Sequence, residues 1–168
     1  MNVMSLDLSL NGTGVCVYVE QANVMETFLI KTSDLKDHMT KILRIKRLIF
    51  KNIKEFNIRK VFIEGQSYGS RGRATLSIAQ LHGVIMYCLL KKSIKYELIP
   101  PTKVKKYISG KGNCKKSLIL KSLYKYYGFD IDQEDMADAV AVMLTGIKMK
   151  RMNKQSRCVK VQEMKSHG

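Results

Sequence analysis

Within its first 31 residues the chain carries three strand-like runs joined by very short turns, and this constrains its fold more than any other feature. Residues 2–8 (NVMSLDL) are apolar and close on a carboxylate, and SLNGT (9–13) has turn chemistry. Residues 14–20 (GVCVYVE) and 24–31 (VMETFLIK) are rich in strand-favouring side chains. Connections this short suit antiparallel neighbours, because a parallel crossover needs a dozen residues or more. The period then changes. Over 34–56, Leu35, Met39, Ile42, Leu43, Ile49, Ile53 and Phe56 fall on one helical face, with Ser33 or Asp34 placed to cap it. KVFIE (60–64) reads as a buried central strand and GQSYGSRGR (65–73) as a glycine-rich loop. Residues 74–91 return to helical period through Leu76, Ile78, Ala79, Leu81, Val84, Ile85 and Leu89. KYELI (95–99) is a strand stopped by Pro100 and Pro101. Helices are expected over 102–108, 115–127 and near 133–147, with GKGN (110–113) as a loop. Three antiparallel strands followed by helical crossovers predict an α/β fold, a mixed sheet with helices on its faces.

A chain of 168 residues fits one domain, placed at 1–147. No run of 18 or more apolar residues is present, so no membrane span is expected, and the N-terminus lacks the basic start of a signal peptide. Thirty Lys and Arg face fourteen Asp and Glu, a formal charge of +16. Such a field gathers polyanions, and nucleic acid is the leading partner; a merely solvated basic surface is the plain alternative. The tail, 148–168, holds seven Lys or Arg against one Glu, and is expected to fray or to lie on DNA. Cys16, Cys88, Cys114 and Cys158 form no CxxC pair, which points to reduced thiols and a cytoplasmic setting.

Acids are scarce, so their placement is informative. Asp7 lies within an apolar strand, where a charge is costly unless something pairs with it. Glu64 closes Val61-Phe62-Ile63, and Asp135 and Asp138 share one face of the last helix among small and apolar neighbours. Taken singly, a strand-end Asp is often a turn residue and a DxxD pair is often a surface or capping pair. Brought together, four carboxylates would repel one another unless a cation compensates. Hard oxygen ligands suit Mg²⁺ or Mn²⁺, and two such ions can clamp an in-line phosphoryl displacement.

The motifs SLDLSLNGTGVCV, VFIEGQSYGSRGRATLSIAQLHGVI, YELIPPTKVKKYISGKGNCKKSLI and DMADAVAVM resemble, in order and spacing, those of RuvC-like Holliday junction resolvases of the RNase H-like superfamily. The resemblance runs from about residue 3 to 147. It implies an RNase H-like sheet of three antiparallel strands then parallel ones, a homodimer, and Mg²⁺-dependent nicking of four-way DNA junctions with two ions per site. The implied metal ligands are Asp7, Glu64, Asp135 and Asp138. Lys116 falls where these enzymes place a lysine near the scissile phosphate, with Lys115 an adjacent alternative and a solvated lysine the plain one. The 65–73 loop departs from the bacterial pattern and is closer to phage-type relatives. Its aromatic residue is Tyr68, a candidate to stack on an unpaired base or to anchor the loop, with Arg71 and Arg73 to hold flanking phosphates. Lys103, Lys105, Lys106, Lys111 and Lys115 form a second basic stretch, read as a backbone-contacting ridge. The helix at 74–91, through Leu81, Val84, Ile85 and Leu89, is a candidate for the dimer interface as well as for core.

Three rivals share parts of this pattern. A nuclease of the same fold could act on RNA or on branched DNA more broadly. A phosphate hairpin of the actin-like ATPase kind also reads Asp, small residues, Thr and Gly, as in Asp7–Gly14, but that class needs two such domains. A non-catalytic junction binder gains nothing from clustered negative charge facing DNA.

Overall fold

A computed structural model describes the backbone of residues 1–66 and 72–165, and side chains at 1–66, 72 and 75–149. Five strands form one sheet: β1 (Val3–Asp7), β2 (Gly12–Val19), β3 (Val24–Lys31), β4 (Lys60–Glu64) and β5 (Lys95–Ile99). Their order across the sheet is β3-β2-β1-β4-β5. β1 pairs antiparallel with β2 and β2 with β3, whereas β1–β4 and β4–β5 are parallel. The short turns therefore made the meander, and the two helical crossovers made the parallel half.

Helices α1 (His38–Glu55) and α2 (Arg73–Lys91) cover one face of the sheet. Ile42, Ile45, Ile49 and Ile53 of α1 and Leu81, Ile85 and Leu89 of α2 bury against Met4, Leu6, Val61 and Ile63. α1 begins later than its apolar pattern suggests. Asp37, not Ser33 or Asp34, is its cap and accepts the Thr40 amide at 2.7 Å, while Asp34 holds Arg44 instead. Four β-branched isoleucines are weak helix formers, so tertiary burial is what holds α1 in place.

On the opposite face lie α3 (Pro101–Ser109), α4 (Lys116–Tyr127) and α5 (Glu134–Lys165). α5 is much longer than the expected 133–147 helix, continuing through most of the basic tail. Its first half crosses β1, β2 and β4 at very close range. A Cβ at Gly14 would stand 1.8 Å from the Asp135 carbonyl oxygen, and one at Gly146 would stand 2.6 Å from the Phe62 ring. Ser5 Oγ donates to the Ala139 carbonyl at 2.6 Å, tying β1 to α5. Any side chain at Gly14 would push this helix, and its acids, away from the strand. No helix among the described residues is long and apolar enough to cross a membrane.

Candidate active site

Strand geometry alone brings the first two acids together. β1 and β4 are parallel neighbours, with Leu6 opposite Ile63, so Asp7 and Glu64 end the two central strands side by side. Side chains alternate along a strand. Leu6 and Ile63 face α1 and α2, which turns Asp7 and Glu64 to the other face, where α5 packs. The contact at Gly14 then fixes the start of α5 above the end of β1. Crevices at the carboxyl ends of parallel strands are where α/β proteins commonly bind ligands.

An open cavity of about 440 Å³ lies there, and Asp7, Glu64, Lys105, Lys116 and Asp138 all contribute to its wall. Lys116, the first residue of α4, points its ammonium at Asp138 Oδ2, 2.9 Å away, with Glu134 Oε2 at 3.7 Å. The structure thus separates the two candidate lysines. Lys116 lines the cavity, whereas Lys115, the residue before α4, does not. Asp135 is less central. It stands over β2, where a Cβ at Gly12 would meet its Oδ2 at 2.8 Å, and it is absent from the cavity wall although its charge reaches Asp7.

The electrostatics are those of carboxylates short of positive charge. Burial, then the Asp138 charge, pushes the Asp7 carboxyl up to about 7; Lys116 opposes this, and Asp135 adds to it. Glu64 rises to about 8, through burial and the charges of Asp7 and Asp138, with Lys105 and Lys116 opposing. Desolvation pulls the Lys116 ammonium down, but its hydrogen bond to Asp138 and the surrounding acids outweigh this, and its net shift is upward. Among the described residues, no three His, Cys, Asp or Glu side chains are close enough as they stand to hold a metal ion. Asp7 and Glu64 lie within hydrogen-bonding reach of each other, and Asp138 is engaged by Lys116. The donor chemistry nevertheless fits a hard divalent cation: oxygen donors only, partly buried, with burial and neighbouring acids raising the pKa of Asp7 and Glu64.

Other expected residues fall differently. Lys105 turns inward, half-buried, toward Glu64, whereas Lys103, Lys106, Lys111 and Lys115 are exposed around the same end of the molecule. Lys105 is therefore a site residue rather than part of an outward ridge. Tyr68 and Arg71 lie outside the described residues; Arg73 opens α2, and its side chain is not described. His82 and Thr75 of α2 also line the cavity, and neither stands out in the sequence. Burial lowers the His82 pKa, which favours the neutral imidazole. The only sequence signal for it is a ring-bearing polar residue inside the apolar stretch Leu81–Ile85.

Residues 3–146 match the protein family described as crossover junction endodeoxyribonuclease RuvC. Among curated relatives, the RuvC of Campylobacter lari is 30% identical over 155 residues, covering 86% of this chain and 94% of the relative. That of Brachyspira hyodysenteriae is 26% identical over 129 residues, covering 77% and 81%. Among solved structures, Thermus thermophilus RuvC superposes with a TM-score of 0.74 at 20% identity, covering 91% of this chain and 97% of that one. The same protein in complex with a Holliday junction substrate gives 0.74 at 19% identity, covering 90% and 96%.

Proposed function

The chain belongs to the RuvC family of crossover junction endodeoxyribonucleases, and from that premise we propose that it resolves Holliday junctions by metal-dependent hydrolysis at the Asp7–Glu64–Asp138 cavity. The observation that carries the reading is the convergence of these three acids with Lys116 at the carboxyl ends of the two central parallel strands. Solved junction-bound RuvC from Thermus thermophilus, with the same fold, supports branched DNA as the partner.

Asp7, Glu64 and Asp138 would hold Mg²⁺ or Mn²⁺, two ions per site, with Asp135 adding a carboxylate from one helical turn earlier. The bound ions would supply Lewis acidity, lowering the pKa of the attacking water and neutralising charge at the scissile phosphate. The chain's own contributions can be read residue by residue. Asp7 and Glu64, at the carboxyl ends of the two central strands, would fix the cations against which the reacting phosphate is positioned. Lys116, released from Asp138, would stabilise charge developing on the phosphoryl oxygens. Lys105 would hold a neighbouring phosphate in place. The scissile bond is the one to the 3′ oxygen, so the products carry a 3′ hydroxyl and a 5′ phosphate.

Symmetric nicking needs two sites related by a twofold axis. Of the residues expected at the dimer interface, Leu81, Ile85 and Leu89 are fully buried in the core, and Val84 is half-buried. The outward side of α2 offers another surface. Leu76, Ala79, Gly83, Tyr87 and Leu90 fall in one stripe and are exposed, Leu76, Tyr87 and Leu90 each by more than 60%. An apolar, glycine-centred helix face of this kind suits close packing against a second copy of α2.

The catalytic reading is tested by comparing wild type with Asp7→Asn on a synthetic four-way junction in Mg²⁺ or Mn²⁺. Wild type should nick the junction. Asp7→Asn should bind it with similar affinity and cut it at least about a hundredfold more slowly. Equal cutting by the variant, or cutting by wild type in EDTA, would remove the carboxylate site from the mechanism.

A further inference from the structure

α1 and α2 lie side by side in one layer, yet their outward faces are opposites. α2 presents the apolar stripe, whereas α1 presents Arg44, Arg47, Lys51 and Lys54 at i, i+3, i+7 and i+10. These four point away from the buried Ile42, Ile45, Ile49 and Ile53, and Arg47, Lys51 and Lys54 are exposed. Like charges at such spacings destabilise a helix. Little in the fold relieves them: Arg44 is held by Asp34, and Glu55 is the only acid within α1 itself. The row begins near the catalytic end of the sheet. Lys41, one turn ahead of it, donates to Asn11 at 2.7 Å, in the turn that follows the Asp7 strand. From Arg44 to Lys54 it extends about 15 Å along the helix, the axial length of about four base pairs.

We propose that the outer face of α1 is a second DNA-binding surface, a phosphate track for a duplex arm of the junction outside the catalytic cavity. The inference rests on the junction-resolving reading above and adds to it a surface on the sheet face opposite α3–α5. A duplex fits better than a single strand. The row carries no exposed aromatic ring on which a base could stack, and backbone contact needs only cations. With α2 at a dimer seam, the α1 rows of the two protomers flank that seam, one on each side.

The test is the salt dependence of binding to a long-armed synthetic four-way junction, without divalent metal, for wild type and for Arg47→Gln/Lys51→Gln/Lys54→Gln. The comparison protein is Lys91→Gln/Lys92→Gln/Lys95→Gln, which loses the same charge from exposed residues at the other end of α2 and the start of β5. If each α1 cation meets a phosphate, the slope of log K against log salt should shrink by about 2–3 for each protomer bound, about 5 for a dimer, at roughly 0.9 per contact. Affinity near 0.1 M salt should fall about tenfold or more, and the comparison protein should keep a slope close to wild type. Equal slopes for the two triple variants would overturn the proposal and leave α1 a solvated helix. Should the triple variant unfold, Lys51→Gln alone should lower the slope by about 0.9 for each protomer bound, and an unchanged slope would count against the track. Nicking by the wild-type protein in Mg²⁺, run in parallel, reports on the catalytic reading separately.

Discussion

Asp7 and Glu64 keep their protons to about pH 7 and 8 because burial and neighbouring acids disfavour their ionised forms. A carboxyl whose folded pKa lies above its unfolded value stabilises the fold fully below the unfolded value, and that contribution is lost as pH rises through the folded one. The windows run from 3.8 to about 7 for Asp7 and from 4.5 to about 8 for Glu64. Metal-free protein should therefore melt at lower temperature as pH rises across this range, by roughly 3–10 °C. Asp7→Asn should flatten that fall. Added Mn²⁺ should restore more stability at the alkaline end, because it binds the ionised groups. A melting temperature that holds level or climbs over the window, or a larger metal effect at acid pH, would contradict this picture. Asp7 and Glu64 were legible as candidates from the scarcity of acids and their positions at strand ends. His82 and the inward turn of Lys105 were not. A histidine in an apolar helix reads as core until a cavity is seen beside it, and which lysine of Lys103, Lys105 and Lys106 faces inward depends on how α3 is rotated against the sheet.

At the scale of elements, turn length and periodicity fixed what was there but not where each helix ended or faced. Three short-turned strands could only make the meander, and the crossovers placed β4 beside β1, which is what seats Glu64 next to Asp7. Apolar residues, however, mark two surfaces on α1 and α2. Met39, Leu43 and Leu76 match the helical period yet are more than half exposed, and Ile45, which the pattern passed over, is fully buried. A period cannot tell a core face from an interface when both are apolar. The length of α5 was hidden for a related reason: its basic half has no apolar stripe to read. The outward stripe of α2 makes a specific prediction. Tyr87→Glu with Leu90→Glu places charge in the seam without touching the core, so sedimentation should show a dimeric wild type and a monomeric variant. The variant should still nick, with its two cuts in a junction no longer coupled. A variant that remains dimeric would place the interface elsewhere.

The whole molecule joins two opposed electrostatic designs. A charge of +16 draws in nucleic acid, while a few partly buried acids at the end of the sheet repel it unless cations intervene. Family membership makes the substrate a crossover, and the acids line a cavity at the end of the sheet. The most direct test is to map, at nucleotide resolution in Mg²⁺, the nicks made on all four strands of a synthetic junction, with a fork and a linear duplex of the same sequence alongside. Paired nicks at symmetry-related positions on two like strands, with the fork and duplex left largely intact, are the predicted result. Single unpaired nicks, or a fork cut as readily as the junction, would contradict it and make the protein a nuclease of branched DNA in general.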